Sequence, residues 1–95
     1  MPLEETPDDL IAAEETVTEA VARLLDVDED ELRGDTALPE IEGWDSVNAL
    51  RLLVNLERGL GAPVDYERFA AAERIADLAL LVADTAAGAG QGVRP

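Results

Sequence analysis

An all-α fold is what the sequence predicts: a small four-helix bundle, three main helices plus one short helix, with a long loop between helices one and two. Three observations lead there. Apolar residues recur at three-and-four spacing in three separate windows, the pattern of a helix with one buried face. Residues that start or stop helices bracket these windows. A chain of 95 residues with 47% hydrophobic content supports one core only, because at this size about two-thirds of the unfolded surface is buried on folding.

The first helix starts at Thr6-Pro7-Asp8-Asp9, with Thr6 as N-cap, Pro7 at the first helical position and Asp9 in the place of a capping-box acid. Its buried face is Leu10, Ala13, Val17, Ala20, Val21, Leu24 and Leu25, with Glu14, Glu15 and Glu19 on the other side. From Asp26 to Gly43 no period persists: Gly34, Pro39 and Gly43 interrupt it, and Leu32, Leu38 and Ile41 stand as isolated apolar residues. This reads as a long acidic loop anchored at a few points, and loops of that length in small domains usually have a function. Asp45 and Ser46 both suit an N-cap. Helix two then covers Val47 to Leu60, with an apolar surface wide enough to suggest a central element touched on several sides. Gly61 and Pro63 stop it. Asp65 caps a short helix over Tyr66 to Ala70, and Ile75, Leu78, Ala79 and Val82 mark a last helix from about Arg74 to Ala86. The expected layout is an extension over 1–6, a single domain over 7–86 and a disordered glycine-rich tail over 87–95.

Composition excludes much. The chain has no Cys, no His and no Lys, so disulfides, zinc and iron–sulfur sites, a Schiff-base lysine and histidine-based catalysis are all absent. No catalytic residues and no metal site are expected. With 22 acidic residues against seven arginines the net charge is −15, which disfavours nucleic acid and anionic membranes as partners. The acidity is concentrated: residues 1–45 hold 16 acidic groups and two arginines, a net −14. No run approaches the roughly 18 apolar residues of a membrane span, and Met-Pro-Leu-Glu-Glu lacks a signal-peptide pattern. A cytoplasmic, free-standing monomer is the expectation. Asp26-Val27-Asp28-Glu29-Asp30 has the alternating carboxylates that open an EF-hand loop, but Glu31 stands where the glycine belongs and Ala37 where the bidentate glutamate belongs. It is a solvated acidic turn.

Ser46 is the only serine, placed directly after Gly43-Trp44-Asp45 at the start of helix two. Capping alone would explain a serine there. The order around it says more: helix, long acidic loop, Gly-x-Asp-Ser, aliphatic helix, short helix, helix. From Val17 to Asp84 the chain resembles the acyl carrier protein family, the phosphopantetheine-binding carrier or thiolation domains. The matching pieces are Leu24-Leu25-Asp26-Val27-Asp28, Asp35-Thr36-Ala37-Leu38, Gly43-Trp44-Asp45-Ser46-Val47, Leu56-Glu57-Arg58-Gly59-Leu60-Gly61 and Ile75-Ala76-Asp77-Leu78.

The resemblance implies that Ser46 carries a 4′-phosphopantetheine arm, donated from coenzyme A by a phosphopantetheinyl transferase, whose thiol holds an acyl group as a thioester for loading and processing enzymes. It implies that Asp45 is a recognition contact for the transferase, and that Val47, Asn48, Arg51, Val54 and Arg58 lie where partners touch helix two. An acyl pocket among Leu50, Leu53, Phe69 and Ile75 is also implied, although all four read equally well as core. Trp44 reads as a loop anchor against the core. Fatty-acid carriers have a strongly acidic helix two, whereas this one has Arg51 and Arg58 against Glu57 alone. That points to polyketide or related natural-product biosynthesis. An aminoacyl or peptidyl carrier stays open as an alternative, less favoured because such domains more often read Gly-Gly-His-Ser at the site. An unmodified acidic helical adaptor is a further alternative from another class.

Overall fold

Four α-helices follow one another in the computed structural model, which describes residues 8–91: α1 (Asp8–Leu25), α2 (Ser46–Leu60), α3 (Tyr66–Ala71) and α4 (Ile75–Gln91). No strand occurs among the described residues, where the β-type contact is an isolated bridge between Ala37 and Arg74. The all-α four-helix expectation holds. The Thr6 cap, the extension over 1–6 and residues 92–95 lie outside the described residues. No described helix is long and apolar enough to cross a membrane.

The core is aliphatic. Val17 and Val21 of α1, Leu52 of α2, and Ile75 and Leu78 of α4 are fully buried, each contributing about 1.5–3 kcal/mol of hydrophobic stabilisation. Packing is most extensive between α1 and α4, with α2 laid against α1 and in lesser contact with α4. The expectation of a central α2 is therefore corrected. Its apolar surface is wide because part of it faces solvent.

Helix ends follow local chemistry. At the end of α1, Asp26 takes a left-handed conformation (φ 58) and Val27 N–H reaches back to the Ala22 carbonyl at 3.1 Å, the six-to-one bond of a Schellman turn. Gly61, also left-handed (φ 68), closes α2 with its N–H on the Glu57 carbonyl at 2.8 Å. Asp65 caps α3 by accepting from the amides of Glu67 and Arg68. The tail expected from Ala87 is instead helical as far as Gln91. Ala86, Ala87 and Ala89 are strong helix formers, and Gly88 and Gly90 weaken the helix by about 1 kcal/mol each without removing a backbone donor as proline would.

The long loop contains two 3-10 turns, Glu29–Glu31 and Leu38–Glu40. Leu38 and Ile41 are buried, so the isolated apolar residues do serve as anchors. The loop also caps α4. The Thr36 and Gly34 carbonyls accept from the amides of Ile75 (3.1 Å) and Ala76 (2.8 Å), and Leu38 N–H donates to the Glu73 carbonyl at 2.9 Å. The first two bonds occupy amide donors that a helix start otherwise leaves unpaired. Asp77 Oδ2 accepts from Glu73 N–H at 2.9 Å and Arg74 N–H at 3.1 Å, the reverse half of a capping box. The amide of Glu73, then that of Arg74, holds the Asp77 carboxyl below its ordinary value.

Candidate functional site

The loop delivers the chain to α2 through three residues. Gly43 sits at φ +90, a backbone conformation that side-chain-bearing residues rarely adopt, while a Cβ there would make only ordinary contact with Leu25, whose Cδ2 would lie 3.5 Å away. Trp44 is half-buried against the core and donates its amide to the Ile41 carbonyl at 3.0 Å, as expected of a loop anchor. Asp45 is extended (φ −154, ψ 179), and its carboxylate Oδ1 accepts from the Asn48 amide at 2.7 Å.

Asp45 is thus the N-cap, and Ser46 is the first residue of α2. Capping does not account for Ser46. The residue is exposed, and its hydroxyl has no hydrogen-bond partner among the described residues. Asp45 occupies the next two donors, Asn48 N–H through its side chain and Ala49 N–H through its carbonyl at 2.8 Å. The Ser46 and Val47 amides have no acceptor among the described residues. Two open N–H groups at the positive end of a 15-residue helix form a favourable setting for a phosphodiester on the neighbouring hydroxyl. Asn48 Nδ2 donates to the Gly43 carbonyl at 2.8 Å, which fixes the entry to the helix.

Along α2 the residues expected to meet partners share one outward face. Val47 is 58% exposed and Val54 48%, with Arg51 and Arg58 exposed beside them and Asn48 partly covered. Glu57 is turned away: its Oε2 accepts from the Val64 amide at 2.8 Å and pins the link to α3. The face therefore presents two arginines and no carboxylate of its own helix. A shallow depression of about 480 Å³ lies along it, lined by Leu24, Val47, Leu50, Arg51, Val54 and Asn55.

The four residues grouped as an acyl pocket do not stay together. Leu53, Phe69 and Ile75 belong to the closed core, while Leu50 is 50% exposed in the α2 depression. Leu50 lies one turn before Leu53 but two residues before Leu52, at the border between the core face and the outward face of the helix. Leu24 and Asn55, absent from the expected site, line the depression as well. Leu24 belongs to the apolar stripe of α1 in the sequence, and no local signal sets it apart. For Asn55 the sequence carried none.

Comparison with known proteins adds the remaining fact. A family model described as the phosphopantetheine attachment site matches residues 15–82, a span running from α1 into α4 that includes the loop and all of α2 and α3. No curated protein matches the chain. Domains of the matched family hold a covalent 4′-phosphopantetheine prosthetic group and act as carriers, not catalysts. With well over half of its length matched, and with an exposed serine opening the helix after the loop, the chain belongs to the phosphopantetheine attachment site family.

Proposed function

We propose that the protein is an acyl carrier whose arm is attached to Ser46, presenting a thioester-bound intermediate to the enzymes of a polyketide or related natural-product pathway. One observation carries the attachment site: the sole serine of the chain stands exposed at the first position of α2, with its own amide and that of Val47 open beside it. The prosthetic group supplies a thiol that the sequence lacks. The chain supplies the anchor, an anion-favouring helix start and a rigid entry held by Gly43, Trp44 and Asp45. Oδ1 of Asp45 is engaged in the cap, which leaves its second carboxylate oxygen for the transferase.

The pathway assignment rests on the charge of α2. Partners that meet Val47, Asn48, Arg51, Val54 and Arg58 need neutral apolar or carboxylate-bearing surfaces, the reverse of what an acidic helix selects. Gly43-Trp44-Asp45-Ser46 favours an acyl over an aminoacyl cargo. The test is intact mass after incubation with a phosphopantetheinyl transferase and coenzyme A, in wild type and Ser46→Ala. The expected result is one arm on wild type and none on the variant. A variant that still gains the arm refutes Ser46, and an unmodified wild type returns the chain to the adaptor reading.

A further inference from the structure

A second and larger groove, about 680 Å³, runs between α1 and α2. Its apolar surface comes from Ala20 and Leu24 of α1 and from Leu56 and Leu60 of α2. Arg23 and Arg58 edge it, one from each helix. Neither arginine forms an ion pair with the described residues, where the salt bridge found joins Arg68 to Asp84. Gly59 also lines the groove, and a Cβ built there meets nothing within 4 Å. The groove is continuous with the depression beside Ser46, since Leu24 and Asn55 line both.

Reach matters next. The end of α1 lies by the start of α2, where a side chain on Gly43 would touch Leu25, so the track leads away from Ser46 along α2. About fourteen covalent bonds separate the serine oxygen from the thiol of the arm, and at the backbone's extended rise of roughly 3.4 Å per three bonds they span about 16 Å. Ten or so residues of helix cover the same distance at 1.5 Å each. Ten to eleven steps on from Ser46 the helix has reached Leu56, which lines the groove and directly follows Asn55, the residue of α2 shared by the two surfaces.

The geometry points to the α1–α2 groove as the resting site of the carried chain: an acyl group that is apolar next to the thioester and bears neutral acceptor oxygens, such as a ketone, further along. The inference rests on the carrier reading and deepens it. Leu24, Leu56 and Leu60 offer the first segment apolar contact, and the two guanidinium groups offer the oxygens donors that a plain hydrocarbon chain would leave unused. Glu19 on the same groove and the net charge of −15 oppose a fully anionic cargo, so neutral carbonyl oxygens fit best. The closed core of Leu53, Phe69 and Ile75 is not the shelter.

The experiment loads Ser46 through the transferase from hexanoyl- or 5-oxohexanoyl-coenzyme A, which passes its acylated phosphopantetheine to the serine oxygen and releases adenosine 3′,5′-bisphosphate, checks loading by intact mass, and compares amide NMR spectra with the unacylated arm-bearing protein. The oxohexanoyl form should shift the amides of Ala20, Arg23, Asn55 and Gly59 more than the hexanoyl form does. Gly59→Leu, whose Cβ meets nothing within 4 Å and whose side chain occupies space on the groove, should load normally and lose those shifts. Arg23→Gln should erase the difference between the two chains. Hydroxylamine should cleave the oxohexanoyl thioester several-fold faster in Gly59→Leu than in wild type. Shifts centred on Leu53, Phe69 and Ile75, or confined to the surroundings of Ser46, overturn the groove assignment, as do shifts that survive Gly59→Leu. Failure to load at all shows in the mass and overturns the carrier reading itself, whereas normal loading without groove shifts overturns only this inference.

Discussion

Asp45→Ala and Ser46→Ala separate the residue that holds α2 from the residue proposed to carry the arm. The Asp45 carboxylate caps the helix through the Asn48 amide at 2.7 Å, and removing such a cap costs about 0.5–2 kcal/mol. It also places a negative charge at the positive helix end, worth about 0.3–1 kcal/mol at an exposed site. The two overlap, so a loss of roughly 1–2 kcal/mol is expected for Asp45→Ala. For a domain of this size about 1 kcal/mol corresponds to roughly 4–8 °C in Tm. Ser46 sits inside the first turn with no hydrogen bond to lose among the described residues, and alanine is the better helix former by a few tenths of a kcal/mol. Ser46→Ala should leave Tm unchanged or slightly raised. Asn caps nearly as well as Asp, so Asp45→Asn should keep most of the stability while slowing modification by the transferase. Thermal melts followed by circular dichroism, with intact mass for modification, measure all three variants. A Ser46→Ala variant that melts as low as Asp45→Ala would refute the division, because the hydroxyl would then be the cap.

Three further outcomes are expected. Asp77, held below its ordinary pKa by the Glu73 and Arg74 amides, contributes stability that is fully present above the usual carboxylate pKa and lost as pH falls through its lowered value. The stability gap between wild type and Asp77→Asn in urea melts should therefore narrow below about pH 4, and a gap independent of pH would show that the charge of Asp77 does not matter. With a net −14 in residues 1–45, moderate salt or millimolar magnesium should raise Tm by relieving self-repulsion, and an insensitive Tm would mean the carboxylates are too well solvated to interact. Arg51→Glu should keep the fold and the modification, slow transfer with cognate enzymes several-fold at low salt and less at high salt, and improve recognition by fatty-acid enzymes; equal transfer rates with every partner would make Arg51 a solvated helix residue only.

The helices were legible because periodicity and caps agree at each of them. Val17, Val21, Leu52, Ile75 and Leu78 are at once the periodic residues and the fully buried ones. Gly61 and Asp65 do at the end of α2 and the start of α3 what their residue types suggest. Two kinds of information were not local and could not be read. One was the choice between neighbouring caps: Asp45 and Ser46 have similar propensities, and the extended backbone that Gly43 and the Trp44 anchor impose on Asp45 decides between them. The other was pairing between distant segments. The loop's carbonyls at Gly34 and Thr36 meet the start of α4, some forty residues on, and nothing in Asp26 to Gly43 announces that contact. Leu50 went astray for a related reason, since an apolar residue on a wide helix face reads as core until the neighbouring helices are in place.

The same placement explains how one small helix can serve both stability and recognition. The fold depends chiefly on α1 against α4, and α2 contributes Leu52, Leu53 and Leu56 to the core. Large-to-small changes at such buried positions cost about 2–5 kcal/mol, a large share of what a domain this size has to spare. Val47, Arg51, Val54 and Arg58 lie on the opposite face, where substitutions usually change stability by less than about 0.5 kcal/mol. On the proposed reading of that face as the partner surface, partner choice can be rewritten there without disturbing the inner face. Ser46 stands where the two faces begin, at the helix start whose geometry Asp45 secures. An arm anchored there is held by the stable part of the molecule and displayed beside the part that is free to vary.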